Sequence, residues 1–169
     1  MSQGRQFEDL RRSFDESFAL PLDSRSTSLE DLLVVRVGGD RFALRVAELA
    51  GLHRRRRIVR LPGSRADLLG LAGIRGRLVP VFSLAVLLGY AADRDDNSWL
   101  ILCNRDQELA LSFGEFTGHV RVEPSQICPA ADGHAREHLR EVVRIDSGSC
   151  PLVGVPSIVS IIQTRIDVA

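Results

Sequence analysis

The chain contains no lysine. All 22 of its basic residues are arginine, and 22 acidic residues balance them to a formal net charge of zero over 169 residues. A neutral total excludes the global basic field that gathers nucleic acid. The exclusive use of arginine is read as codon bias, since no fold needs guanidinium geometry at so many places. Aromatic side chains are also scarce, with one Trp and one Tyr. Two such rings are too few for a base-stacking platform. The three cysteines, Cys103, Cys128 and Cys150, form no CxxC pair, and their odd number argues against a disulfide framework. No apolar run reaches the roughly 18 residues of a membrane-spanning helix. The first seven residues are polar and lack the apolar core of a signal peptide. A cytoplasmic, reduced protein that does not insert into a membrane is the expectation.

Catalytic signatures are missing as well. There is no GxSxG, HExxH, Walker or GxGxxG motif, and no cysteine has a His and an acid that sequence can pair with it. The expectation is a protein that is not an enzyme and carries no cofactor. What the chain does have is an ordinary globular composition, 44% hydrophobic and 26% charged. Its length suits one domain, or two small subdomains sharing a core.

Residues 1–20 differ from the rest. Phe7, Leu10, Phe14 and Phe18 recur at helical spacing, with arginines and acids between them. That pattern predicts an amphipathic helix. It packs on its own domain or docks on a partner, and disorder is the remaining reading. A Ser-rich stretch, Pro21 to Thr27, ends it.

From Leu32 the pattern turns to short β-type runs. Leu32–Val37, the turn Gly38-Gly39-Asp40 and Phe42–Val46 read as a hairpin. Further runs fall at Arg57–Leu61, Leu78–Phe82, Trp99–Cys103, Glu108–Phe113, Val120–Val122 and Val142–Ile145. Many short strands and few long helices predict a mainly β barrel or sandwich.

The chain also resembles itself. Leu32–Leu49 aligns with Trp99–Phe116, placing Ala43 on Ala110, Leu44 on Leu111 and Glu48 on Glu115. Leu78–Leu88 (LVPVFSLAVLL) aligns with Leu152–Ile162 (LVGVPSIVSII), placing Val79 on Val153 and Ser83 on Ser157. Each copy then reads as a set of strands closed by a short helix. Ser83 and Ser157 are the expected N-caps, and Gly89 is the residue after the first helix. The second helix is a weaker expectation, because Ile158, Val159, Ile161 and Ile162 are β-branched or strand-favouring. Two units this small need a shared apolar interface.

These residues resemble the CheW-like family. The stretch Leu61–Gly89 carries the resemblance: a Leu-Pro, the turn Gly73-Ile74-Arg75-Gly76, a V-P-V strand, a polar cap and a Leu-rich turn. The opening hairpin with Val46-Ala47-Glu48-Leu49, and the second hairpin at Leu109–Val122, extend it over residues 30–163. Three positions depart from the family pattern: Gly73 for an Asn, Ser83 for an Asp and Gly114 for an Asp. The resemblance implies a mainly β fold of two SH3-like five-stranded barrels around a common core, over about 30–92 and 93–163. Residues 1–29 would then be an extension and 164–169 a tail. It implies a non-enzymatic adaptor between methyl-accepting chemoreceptor tips and the regulatory domain of a CheA-type histidine kinase, with other CheW-like proteins as further partners. A non-motility signalling pathway is the alternative setting.

Carried onto this sequence, the family's binding residues are Val46, Glu48, Leu49, Gly73, Arg75 and Gly76. Arg75 is the strongest candidate. It sits in a Gly-flanked turn that can present its fork of donors to a carboxylate. In the repeat its counterpart is Ser149, so the fold does not demand an arginine there. Glu48 is shared with Glu115, which leaves a structural role open. Leu68, Leu69 and Leu71 read as core, with an exposed subset forming an apolar patch.

Weaker signals remain. Arg54–Arg57 could contact phosphate in a small nucleic-acid-binding barrel, and reads more simply as a charged edge that blocks strand pairing. His134 and His138, four apart among Arg136, Glu137, Arg140 and Glu141, read as a solvated helix-like face. Even with His119 and Cys128 they lack the paired spacing of a metal site.

Overall fold

In a computed structural model the described residues are 28–54, 56–62, 65–91, 98–103, 109–131, 138–146 and 148–167. The stripe Phe7, Leu10, Phe14 and Phe18 lies outside them. The first half of the chain forms β1 (Glu30–Val37), β2 (Asp40–Arg45), β3 (Leu49–Arg54), β4 (Ile58–Val59), β5 (Leu68–Ile74), β6 (Arg77–Ser83) and helix α1 (Leu84–Leu87). The second half forms β7 (Trp99–Cys103), β8 (Leu109–Phe113), β9 (Glu115–Val122), β10 (Ile127–Pro129), β11 (Glu141–Ile145), β12 (Gly148–Val153) and helix α2 (Val155–Asp167). The mainly β expectation holds. Glu141, expected on a helix-like face, instead begins a strand.

Two six-stranded sheets result. One has the order β10-β11-β12-β2-β1-β9, the other β4-β5-β6-β8-β7-β3. The two orders are the same once each strand is matched to its repeat partner. The sheets do not follow the division at residues 92 and 93, because the leading hairpins are exchanged. β1–β2 joins the strands of the second half, and β7–β8 joins those of the first. Each exchange is made by a parallel contact, β2 with β12 (Leu152 opposite Ala43) and β8 with β6 (Val81 opposite Ala110).

That pairing corrects the repeat register. Ala43 and Ala110 are equivalent, so Leu152 matches Val81 rather than Leu78. Pro151 then falls on Pro80, and the turn residue matching Arg75 is Asp146, not Ser149. The V-x-V pattern favours the other alignment, because Val79-Pro80-Val81 then meets Val153-Gly154-Val155, and only the cross-sheet partners show that its counterpart is Cys150-Pro151-Leu152.

Edge strands show how each sheet curves. β3 and β4 stand at opposite edges of one sheet, yet only residues 55–57 join them. Four Cα steps reach about 15 Å, whereas six flat strands place their edges about 24 Å apart. The sheet therefore curls. In the other sheet β9 and β10 are joined as closely, through a single helical turn at Pro124–Gln126. Gly70 lets β4 approach β5. Its φ is +140°, and a Cβ there would lie 2.2 Å from the Val59 carbonyl oxygen.

The exchanged strands are buried on both faces. In β7, Ile101 and Cys103 enter a central core, while Leu100 and Leu102 enter a second core inside the curled sheet. In β2, Phe42 and Leu44 face the central core and Ala43 faces the core of the other sheet. Two-sided burial explains why these strands read as apolar runs rather than as alternation.

Both helices pack on the central core. Ser83 caps α1 by accepting from the Val86 N–H at 3.3 Å. Gly89, at φ +90°, ends it. Its N–H donates to the Val86 carbonyl and the Tyr90 N–H to the Ala85 carbonyl, the two bonds of a Schellman stop. Ser157 is not a cap. α2 begins two residues earlier, and the Gly154 carbonyl accepts the first intrahelical bond from Ile158. The sequence Ile158, Val159, Ile161, Ile162 is helical despite its strand-favouring composition. Ile158, Val159 and Ile162 recur at helical spacing and are all buried, so packing overrides propensity.

α2 is anchored to the first half at its far end. Asp67, 4% exposed, accepts from the Arg65 guanidinium at 2.6 and 3.1 Å and from Arg165 at 3.3 Å. Arg65 also donates to the Arg165 carbonyl oxygen at 2.8 Å. Burial pushes the Asp67 carboxyl up, but the arginines outweigh it and hold it below the ordinary carboxylate value. A depressed carboxylate stabilises the fold above its unfolded pKa, and that stabilisation is lost as pH falls through the folded value. Asp67→Asn should cost about 1–3 kcal/mol at neutral pH. The cost should shrink toward pH 3, as urea unfolding at a series of pH values will measure.

Candidate partner-binding surface

The Gly73–Gly76 turn is a two-residue hairpin. Ile74 pairs with Arg77, and Arg75 and Gly76 make the corner with φ of +51° and +78°. Two positive φ values define the type I′ turn favoured by the twist of paired strands. Gly76 meets that demand without cost. Arg75 does not. Among the described residues it is the only non-glycine with positive φ, a region that disfavours a Cβ. The chain keeps a bulky cation where glycine would be cheaper.

The turn lies beside β3. A Cβ added to Gly51 would sit 3.5 Å from a guanidinium nitrogen of Arg75 and 3.3 Å from His53 Nε2. Burial first, then the charges of Arg56 and Arg75, lower the His53 pKa. Leu49 is two residues along the same strand and packs against the central core. Arg75, Gly73 and Gly76 are exposed, and Val46 is half-buried. The structure thus brings the Arg75 guanidinium to β3 at Gly51, two residues along from Leu49.

Glu48 turns inward. Its Oε2 accepts the Val155 N–H at 2.9 Å, filling the first orphan donor of α2. Arg45 stands 4.0 Å away and binds Glu30 and Glu141 at 2.8 Å each. Burial pushes the Glu48 carboxyl above its ordinary value, and the Val155 N–H and Arg45 only partly offset this.

Sequence reasoning allowed an exposed subset of Leu68, Leu69 and Leu71 but missed the rest of the apolar surface. Cross-strand partners share a face. Val59 faces Leu71, Leu71 faces Pro80 and Gly73 faces Leu78. The alternate residues Ala72, Val79 and Val81 are buried, so this row points outward. Leu78 is 72% exposed and Val59 57%. The available signal was Gly73, which leaves Leu78 uncovered. Leu68 and Leu69 pack against the cores as expected, while Leu71 lies in the outward row.

The other candidates separate. Arg54 lies over the Trp99 ring at 6.0 Å, while Arg56 and Arg57 are exposed. Asp31 is shared by His119 at 2.8 Å and Arg121 at 2.9 Å. His138 is buried, and its carbonyl accepts from Gly154. His134 lies outside the described residues. No group of three His, Cys, Asp or Glu suited to a metal occurs among the described residues. No described helix is long and apolar enough to cross a membrane. Burial pushes the Cys103 thiol up to about 12 and the Cys150 thiol to about 11, so neither is a ready nucleophile.

The exchanged hairpins, the I′ turn and the V-P-V strand all lie within one matched region. A family model for the CheW-like domain matches residues 31–163. The chain belongs to the CheW-like family. Its fold is similar to that of the scaffolding protein TtCheW from Thermoanaerobacter tengcongensis. The TM-score is 0.67 at 14% identity, over 75% of this chain and 89% of that one. Comparison with curated proteins gives no match. CheW-like proteins are non-catalytic adaptors, and this chain is one of them.

The geometry separates cap from surface. Glu48→Ala should lose the α2 cap and cost about 1 kcal/mol. Glu48→Gln, which keeps an acceptor oxygen, should cost less than half of that. Thermal unfolding of the two variants side by side will measure the difference.

Proposed function

We propose that this CheW-like chain couples methyl-accepting chemoreceptors to the regulatory domain of a CheA-type histidine kinase. In this reading it works in the bacterial cytoplasm, and other CheW-like proteins extend the array. The observation that carries the binding role is Arg75, held at φ +51° beside exposed Leu78. A two-residue turn fixes the backbone at Arg75, so its Cα–Cβ direction is set before binding. A partner carboxylate would take its paired donors, and a partner aliphatic side chain would cover Leu78. Val46 and Leu49 extend the contact along the β3 edge, with Gly73 and Gly76 allowing close approach. Glu48 contributes to it by fixing α2 rather than by touching the partner.

A second surface is available to a second partner. A groove of about 610 Å³ is lined by Phe42, Leu88 and Tyr90 on one side and Leu139, Val142 and Pro151 on the other. It shares no residue with the Arg75 surface. We read each curled sheet as a closed, SH3-like barrel, because each brings its edge strands together through a short connection. Rigid barrels suit a scaffold that must hold two partners in fixed relation.

Calorimetric titration against the kinase regulatory domain from the same genome tests this. Wild type should bind with micromolar or tighter affinity. Arg75→Gly should keep the turn, and even ease it, while weakening binding roughly tenfold or more. Arg75→Glu should abolish binding with the fold intact. Equal affinity for all three folded proteins would remove Arg75 from the interface. Absence of binding by wild type would remove the kinase.

A further inference from the structure

The β4–β6 ribbon is as one-sided in charge as it is apolar. Residues 56–62 and 68–83 contain Arg56, Arg57, Arg60, Arg75 and Arg77 and not one carboxylate. The chain as a whole is neutral. All five arginines are exposed and lie on or next to the strands that carry the outward row Val59, Leu71, Leu78 and Pro80. Such a strip fits an amphipathic segment with an aliphatic or aromatic stripe and acidic flanks.

The chain carries one. Phe7, Leu10, Phe14 and Phe18 supply the stripe. Glu8, Asp9, Asp15 and Glu16 outnumber Arg11 and Arg12 around it, and Glu8 and Asp15, seven apart, fall along one flank. The segment precedes the family match at residues 31–163, so it is an addition to the shared domain. Nine residues lie between Phe18 and Ser28, and the ten Cα steps can span about 35 Å, about twice the roughly 15 Å radius of gyration of a domain this size. The tether therefore reaches well beyond β1, and charge selects this strip.

We propose that residues 7–18 dock in cis on the Arg-rich strip of β4, β5 and β6. Phe14 and its neighbours cover Leu78 and Val59, and the acidic flank faces the arginines. Docking there would cover the surface beside Arg75, so a partner would have to displace the segment. The docking itself does not depend on which partner binds.

Hydrogen-exchange mass spectrometry on the full chain tests it, with wild type, Leu78→Glu and Phe14→Glu compared at low and high protein concentration. A helix of a dozen residues is marginal alone, so protection of residues 7–18 reports docking. Amides there should exchange roughly tenfold or more slowly in wild type than in either variant, at both concentrations. Unchanged exchange in β8 and α1 will confirm that the variants fold. Rapid exchange of 7–18 in wild type would overturn the proposal, as would protection that survives Leu78→Glu. Protection found only at high concentration would assign the strip to a second copy. Protection gained only on adding phosphatidylserine vesicles would assign the segment to a membrane surface. Either result also overturns docking in cis. The kinase titration uses neither variant, so the two readings can fail separately.

Discussion

The structure depends on two parallel strand contacts. β2 lies beside β12, and β8 lies beside β6. Through them each half of the chain lends its leading hairpin to the sheet of the other half. Neither half owns a complete sheet, and neither encloses its own core. The exchanged strands must then be apolar on both faces, since one face lines a curled sheet and the other lines the space between the sheets. That constraint places Ala43 and Ala110 inside the sheets, where space is limited, and Phe42, Leu44, Leu111 and Phe113 between them. It also couples the stability of the halves. Loosening either hairpin opens both the central core and the core of one sheet.

α2 repeats this logic at the level of a helix. It follows the last strand of the second half, but first-half residues hold both of its ends. Glu48 fills the first orphan N–H, and Asp67 and Arg65 take the Arg165 side chain and carbonyl. Its buried face, Ile158, Val159 and Ile162, closes the central core between these anchors. This explains how a segment with strand propensity is helical. A single helix position removes several large side chains from water at once, which outweighs a few tenths of a kcal/mol per β-branched residue.

Much of this was legible, and the failures have physical causes. The repeat was visible because both copies obey the same two-sided burial. The mainly β class was visible because that burial produces short apolar runs. The exchange was not visible, because sequence order says nothing about which hairpin a sheet recruits when the copies are alike. The register of the second repeat segment was misread by three residues because Val79 and Val81 meet identical residues at Val153 and Val155, whereas the pairing of Val81 with Ala110 and of Leu152 with Ala43 fixes it. Ser157 looked like Ser83 only under that misreading. At the site, Arg75 and its glycines were legible because a positive φ restricts residue choice. The rest of the outward row, Val59, Leu78 and Pro80, was not. Its residue types match those of the core, and only pairing with buried neighbours on the opposite face shows which way they point.

The repeat also supplies an internal comparison for Arg75. The hairpin β11–β12 matches β5–β6 strand for strand, with Pro151 on Pro80 and Ile145 on Ile74. Both hairpins close through two residues between a paired Ile and the first residue of the next strand. In the second copy the position of Arg75 is Asp146, whose φ is not positive. At this position, then, the second copy uses neither a left-handed side chain nor a cation. In the first copy the backbone strain and the charge occur together, beside exposed Leu78 and among arginines that the second copy does not reproduce. A feature that one copy needs and its structural equivalent does without is not explained by folding. That difference between the copies supports the proposed partner contact at the β5–β6 corner.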